Sequence, residues 1–258
     1  MASDPDAAAL LRQMCELYAN CSSSRDQGQV VTKMVSERIA ERTERKPFAT
    51  HFVRPDRFRF EFRARVGASE NFASRFVVWR LDGVCGTHWS IGEDREERSL
   101  RLALAGATGV SGGSAHTVPS LLIPKEIGPA FLGSLKNAVA TESDLLGTSC
   151  LLIRGTTKAG ETNVYVDRRT MLIRGIREAR DFTVQAQDQM HRESKEALRA
   201  YAEQYPEEAA RLNLGSIEFR PKPVPFSTDT LTTYTPEVDV DIDPEVFRSP
   251  RDERWLTP

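Results

Sequence analysis

No stretch of the 258-residue chain approaches the roughly 20 consecutive apolar residues that carry a helix across a bilayer, so no membrane-spanning helix is expected. An excess of one charge is also missing. The 35 basic and 37 acidic residues are spread along the chain and leave a formal charge of -2, which gives no field favouring nucleic acid or an anionic membrane. Cysteine is scarce, and Cys15, Cys21, Cys85 and Cys150 show no Cys-x-x-Cys spacing, which argues against a zinc site or a thioredoxin-like motif. They read as small buried hydrophobes, with a disulfide involving Cys15 or Cys21 as the alternative. His51, His88, His116 and His191 include no pair at i, i+4, so no metal and no cofactor is implied. The opening Met1-Ala2-Ser3-Asp4-Pro5 lacks the basic start and apolar core of a signal peptide. The chain is expected to be soluble, its compartment left open.

What is present is period two. From Arg57 to Arg65, Phe58, Phe60, Phe62 and Ala64 alternate with Arg57, Arg59, Glu61, Arg63 and Arg65, which predicts a strand with one dry and one wet face. Three phenylalanines on one face require a deep apolar layer, since each aromatic side chain brings about 150–250 Å² to be buried. Arg75–Asp82 and Val84–Ile91 form the next pair, joined by the hairpin dipeptide Asp82-Gly83. Further strands are expected at Gln29–Ile39, Ala138–Glu142, Ser149–Thr156, Glu161–Asp167, Leu172–Asp181 and Phe226–Pro236, with turns such as Lys158-Ala159-Gly160 between several of them. This is a meander of antiparallel strands in one large domain, residues 1–258.

Helices punctuate it. Asp4-Pro5 offers a cap, and Leu10 or Leu11, Met14, Leu17, Tyr18 and Cys21 recur at helical spacing before Ser22–Gly28 breaks the pattern. Leu100 to Phe131 is rich in glycine (Gly106, Gly109, Gly112, Gly113), then apolar at Leu121-Leu122-Ile123. It reads as a mobile flap with short helical pieces, about 100–131. Gln185 to Leu214 carries Leu198, Tyr201, Tyr205, Ala209 and Leu212 at helical spacing and Pro206 within, which predicts an insertion of two helices laid across the sheet.

Two motifs suggest chemistry. Gly109-Val110-Ser111-Gly112-Gly113 matches the G-x-S-x-G elbow of serine hydrolases, with Asp144, Asp167 or Asp181 and then His191 in triad order. The elbow needs a strand before Ser111 and a helix after it, and neither neighbour reads so. Asp239, Asp241, Asp243 and Glu245 alternate in a way that resembles a calcium loop. Pro244 stands where that loop needs glycine and Pro250 where it needs glutamate, so an acidic solvent face is expected.

The order of short motifs resembles the LolA/LolB-like lipoprotein carrier superfamily. They are the helix running into Tyr18-Ala19 and Asp26-x-Gly28, then Phe52-Val53-Arg54-Pro55-Asp56-Arg57-Phe58, Asp82-Gly83 with Trp89, Val166-Asp167 with Leu172-Ile173, and Phe247-Arg248-Ser249-Pro250. The resemblance implies an α+β fold, an incomplete and strongly curved antiparallel β-barrel with helices over its open concave side. It implies non-enzymatic binding of a lipid or of a lipoprotein's acyl chains, in the periplasm or cell envelope. Phe58, Phe60, Phe62, Val77, Trp79 and Trp89 would line the pocket with Leu121, Leu122 and Ile123 of the flap, and Arg54 of the Arg-Pro-x-x-Phe motif would latch the lid. A lipid or lipidated protein is the implied partner, and some relatives instead sense envelope stress by binding a regulatory protein. The long flap and the helical insertion depart from the compact carrier, as does the lack of an anchor cysteine at the start.

Overall fold

The computed structural model describes residues 6–36, 39–64, 74–90, 94–128, 132, 135–157, 160–211, 224–248 and 250. Its contacts separate two compact units. The larger comprises Met1–Thr32, Thr43–Glu178 and Thr230–Pro258, and the smaller Lys33–Arg42 and Ala179–Asp229.

The strands form one antiparallel sheet: β1 (Ser23–Ser36), β2 (Ile39–Val53), β3 (Arg57–Ala64), β4 (Ser74–Leu81), β5 (Val84–Trp89), β6 (Arg95–Glu97), β7 (Lys136–Leu145), β8 (Thr148–Thr157), β9 (Gly160–Asp167), β10 (Ile173–Phe182), β11 (Phe226–Tyr234) and β12 (Glu237–Val238). Their order is β6-β5-β4-β3-β2-β1-β11-β10-β9-β8-β7, with the short β12 also on β1. Two meanders thus meet at β1 and β11, and the sheet does not close into a barrel: β6 and β7 are its ends. The expected open α+β architecture is what the chain adopts. Asp82 and Gly83, at φ 51° and 80°, form the expected two-residue hairpin between Leu81 and Val84.

In the larger unit, α1 (Ala7–Asn20) buries Ala7, Leu11, Met14 and Tyr18 at spacings of four, three and four, the last three being positions of the expected helical stripe. Asp6, not Asp4, is the cap: its side chain accepts from Ala8 N at 3.0 Å, while Asp4 and Pro5 lie outside the described residues. The segment Ser22–Gly28, expected as a break, is strand from Ser23 onward. Its polar residues find partners in the far C-terminal segment: Asp239 accepts from Ser22 N at 2.7 Å, and Ser24 pairs with Val238. Tertiary pairing here outweighs weak strand propensity.

The outer face of β3 is also less wet than alternation suggests. The 3-10 helix Pro244–Phe247 packs on β3 and β4. Beneath it Arg59 is buried and donates to the carbonyls of Val246 and Arg248, both at 3.1 Å. That placement accounts for the apolar Phe247 in the closing motif, whose Ser249 lies outside the described residues.

Within the smaller unit, α5 (Val184–Gln204) and α6 (Pro206–Arg211) are the two expected helices, with Pro206 opening the second. Thr183 caps α5 through Ala186 N at 3.1 Å, and α5 buries none of its residues. Phe182 and Phe226 stack at 4.5 Å, and Gln187 Nε2 donates to the carbonyls of Phe182 and Val224. Leu212 and Leu214 of the expected insertion lie outside the described residues, as do Lys158 and Ala159.

Candidate functional site: an aromatic face under a helical cover

Register decides which side chains share the dry face. Phe48, Thr50 and Phe52 of β2 stand opposite Phe62, Phe60 and Phe58 of β3, and those three face Phe76, Val78 and Arg80 of β4. Phe76 in turn pairs with Trp89 of β5. A continuous aromatic run results: Tyr234 to Phe48 (5.5 Å between centroids), Phe48 to Phe60 (6.2 Å), Phe60 to Phe62 (6.3 Å), Phe62 to Phe76 (5.5 Å) and Phe76 to Trp89 (5.8 Å). Each separation lies in the range where ring pairs attract beyond simple burial. The run is sealed at Phe60 and opens at its far end, where Trp89 is 38% exposed.

The same register moves two expected pocket residues to the other side. Val77 stands opposite Glu61 and Trp79 opposite Arg59, both on the outer face. The Trp79 ring lies against Gly86, where a Cβ would come within 3.1 Å of it. The sequence Phe76-Val77-Val78-Trp79 is apolar at both parities, so its own pattern could not choose. Phe76 and Val78 are the inner residues, selected by pairing with Phe62 and Phe60.

Over the dry face the Gly-rich segment forms three helices, α2 (Leu100–Val110), α3 (Ser114–Leu122) and α4 (Pro124–Ile127). Leu100, Ala103, Leu104 and Ala107 of α2 and Ala115, Val118, Leu121 and Leu122 of α3 join Phe58, Phe60 and Phe62 in one core cluster, with Ile123 packed against it. Gly112 and Gly113, at φ 68° and 88°, make the reversal between α2 and α3 in a backbone region that side-chain-bearing residues rarely enter.

Two arginines fasten this cover. Arg54 gathers carbonyl groups at two helix ends: Nε donates to Cys21 O at 2.6 Å, and Nη2 to Ala19 O at 2.5 Å, Tyr18 O at 3.3 Å and Leu122 O at 3.0 Å. One guanidinium therefore joins α1, the β2–β3 corner and the end of α3. Arg80, on the dry face of β4, bonds Glu126 of α4 at 2.6 Å and Asp56 O at 2.9 Å. This second tie escaped sequence reasoning, because nothing local links Arg80 to a glutamate 46 positions later.

No protein-family model matches the chain, and no curated protein matches it significantly. Solved structures do resemble it. One is a DUF1329 family protein from Desulfovibrio piger, 10% identical, covering 94% of this chain and 95% of that one, with a TM-score of 0.35. A LolA superfamily protein from Nitrosomonas europaea is 12% identical over 96% and 99%, with a TM-score of 0.31. A domain assigned to outer membrane lipoprotein sorting, from Vibrio parahaemolyticus, is 6% identical over 94% and 97%, with a TM-score of 0.36. The fold described above rests on its own strand order and register.

Three buried titratable groups, Tyr18 of α1, Asp26 of β1 and Tyr234 of β11, influence one another's charge. Asp26 Oδ1 accepts from Thr235 N at 2.9 Å, and Oδ2 has no partner among the described residues. Burial pushes this carboxyl up to about 7, although hydrogen bonds from the Thr235 and Gln27 backbone and the charge of Arg174 oppose the shift. Tyr18, whose hydroxyl accepts from Ile173 N at 3.4 Å, and Tyr234 are both raised by burial, with the Asp26 charge adding to it.

The two chemical motifs have structural uses. Ser111 is buried at the C-cap of α2, preceded by helix and not by strand. Its Oγ donates to Thr108 O and accepts from Ala115 N, pinning the α2–α3 turn. Asp239 binds Ser22, and Asp243 caps the 3-10 helix through Glu245 N at 3.0 Å. The four cysteines are free, with Cys21, Cys85 and Cys150 buried and Cys15 half-buried. Among the described residues no helix is long and apolar enough to cross a membrane, and no cluster of His, Cys, Asp or Glu could hold a metal ion.

Proposed function

We propose that the chain binds a lipid, or the acyl chains of a lipidated protein, without chemical transformation, between the aromatic face of β2–β5 and the helices α2–α3. The observation that carries this reading is the fastening of the cover. An apolar cover of eight side chains is tied at its far end through single arginine contacts, Arg54 to Leu122 O and Arg80 to Glu126, and reverses at two glycines. A cover built this way can exchange its own leucines for an alkyl chain. Each methylene transferred from water to that face contributes about 0.8 kcal/mol, so a long acyl chain would offset the displaced contacts. Trp89, at the open end of the run, marks the entry. The reading extends to a periplasmic or envelope carrier with a lipidated partner.

Native mass spectrometry of gently purified protein, with lipid extraction alongside, tests it. The expected result is a co-purifying acyl species whose occupancy falls in Phe62→Ser and Trp89→Ser. If neither the wild type nor Arg54→Ala, in which the latch is removed, takes up a fluorescent fatty acid, the reading is wrong.

One feature favours a second reading. Phe58, Phe60 and Phe62 are already covered by the chain's own side chains, as in a protein-interaction domain whose concavity is its core. Recognition would then fall on outer surfaces, and the lipid measurements above would all be negative while a protein partner could still be captured.

A further inference from the structure

We propose that the pocket between the β7–β8 and β9–β10 turns is a binding site for a phosphate-bearing anion. It has a volume of about 500 Å³ and is lined by Gly147, Thr148 and Ser149 from one turn and Asp167, Arg168, Arg169 and Arg174 from the other. None of these residues belongs to the aromatic face, so the proposal stands apart from the lipid reading.

The backbone makes the pocket a fixed feature. Leu145 pairs with Thr148 across the two-residue turn Leu146-Gly147, and Arg168 N donates to Ser149 O at 3.2 Å, which joins the two turns directly. The second turn is closed by Asp167 N to Leu172 O at 2.8 Å and Met171 N to Asp167 O at 2.9 Å.

Charge gives the pocket its sign. Asp167 is buried, and both of its oxygens are engaged: Oδ1 accepts from Arg169 N and Thr170 N, each at 2.9 Å, and Oδ2 from Arg174 Nε at 3.0 Å. The single carboxylate of the lining thus cancels one guanidinium and fixes its orientation. Two remain. Arg169 is exposed, and the Arg168 guanidinium pairs with Glu142 at 2.7 Å, both side chains being more than half exposed. Such a pair is held weakly and yields readily to a stronger anion.

Guanidinium forks with the hydroxyls of Thr148 and Ser149 supply donors on several sides, which suits a tetrahedral oxyanion better than a planar carboxylate. The volume exceeds what a bare phosphate fills and leaves room for an organic ester. A soluble phosphoester and a phospholipid headgroup share this chemistry.

The full-length chain is titrated with inorganic phosphate and with glycerol 3-phosphate by calorimetry, and sedimented with vesicles of phosphatidylglycerol and phosphatidylcholine or of phosphatidylcholine alone. Both soluble anions are expected to bind, more weakly as salt rises. The double variant Arg168→Gln/Arg169→Gln, altered only at exposed positions and verified as folded by circular dichroism, is expected to bind at least about tenfold more weakly. Vesicle binding that glycerol 3-phosphate displaces would identify a headgroup as the source, and soluble binding with no vesicle binding would identify a free phosphoester. The proposal is overturned if the folded wild type binds neither soluble anion, or if the double variant binds them undiminished.

Discussion

Phe48 lies across Gly28: a Cβ built at position 28 would come within 2.3 Å of Phe48 Cζ and 2.2 Å of the Thr233 carbonyl oxygen. The absent side chain in β1 is what lets the Phe48 ring reach over that strand to meet Tyr234 edge-on at 5.5 Å. Gly28→Ala therefore forces a backbone carbonyl to move, and we expect a loss of about 1–3 kcal/mol in urea unfolding. An unchanged midpoint would mean that the close approach is not maintained in solution.

Arg54 serves four carbonyl groups at two helix ends. Arg54→Ala removes charge-assisted hydrogen bonds that each contribute about 1.5–3 kcal/mol, and a single lysine ammonium cannot replace the guanidinium fork. Amide hydrogen exchange should accelerate most in α3 and at the end of α1. Exchange that rises evenly over the whole chain would point to general destabilisation instead of a released cover.

The Arg80–Glu126 pair is suited to a double-mutant cycle with Arg80→Met and Glu126→Gln. Arg80 is largely buried and Glu126 about a third exposed, so a coupling of about 1 kcal/mol is expected, weaker at high salt. Zero coupling would leave α4 unfastened by this contact.

Asp26 gives stability a pH dependence whose sign follows from its environment. A carboxyl titrating near 7 in the folded chain against an ordinary 3.8 binds its proton more tightly when folded. Its contribution is fully present below about 3.8, falls as pH rises towards 7, and is constant beyond, a span of at most about 4 kcal/mol. Glu61 and Asp167, lowered despite burial by hydrogen bonds and arginine charges, act oppositely and lose their contribution only as pH falls through and below the ordinary carboxylate range. Asp26→Asn keeps an acceptor for Thr235 N and should raise the melting temperature at about pH 8 while changing it little at about pH 4. A variant that melts at the same temperature as the wild type at pH 8 would contradict the buried, proton-holding carboxyl.

Much of this architecture was legible in local pattern. The alternation of Phe58, Phe60 and Phe62, the Asp82-Gly83 turn, the helical spacing before Tyr18 and the break at Pro206 each encode a backbone period or a φ value. Ser22–Gly28 was not legible as strand, because the groups that hold it come from distant segments, Arg54 N on the Ser22 carbonyl and Asp239 and Val238 from the C-terminal end. The family resemblance implies that Val77 and Trp79 line the pocket, and their own apolar stretch, Phe76–Trp79, cannot choose between the faces. Their true side was set by register with β3.

The sequence by itself determined that an aromatic face exists, that a glycine-punctuated apolar segment follows it, and that Arg54 sits beside it, since these are properties of neighbouring residues. The tertiary structure decided which rings share that face, that α2 and α3 fill it, and that Arg54 and Arg80 hold them there. It also brought Arg168, Arg169 and Arg174 around one pocket with Thr148 and Ser149. Those outcomes depend on strand register and long-range closure, which no local period specifies.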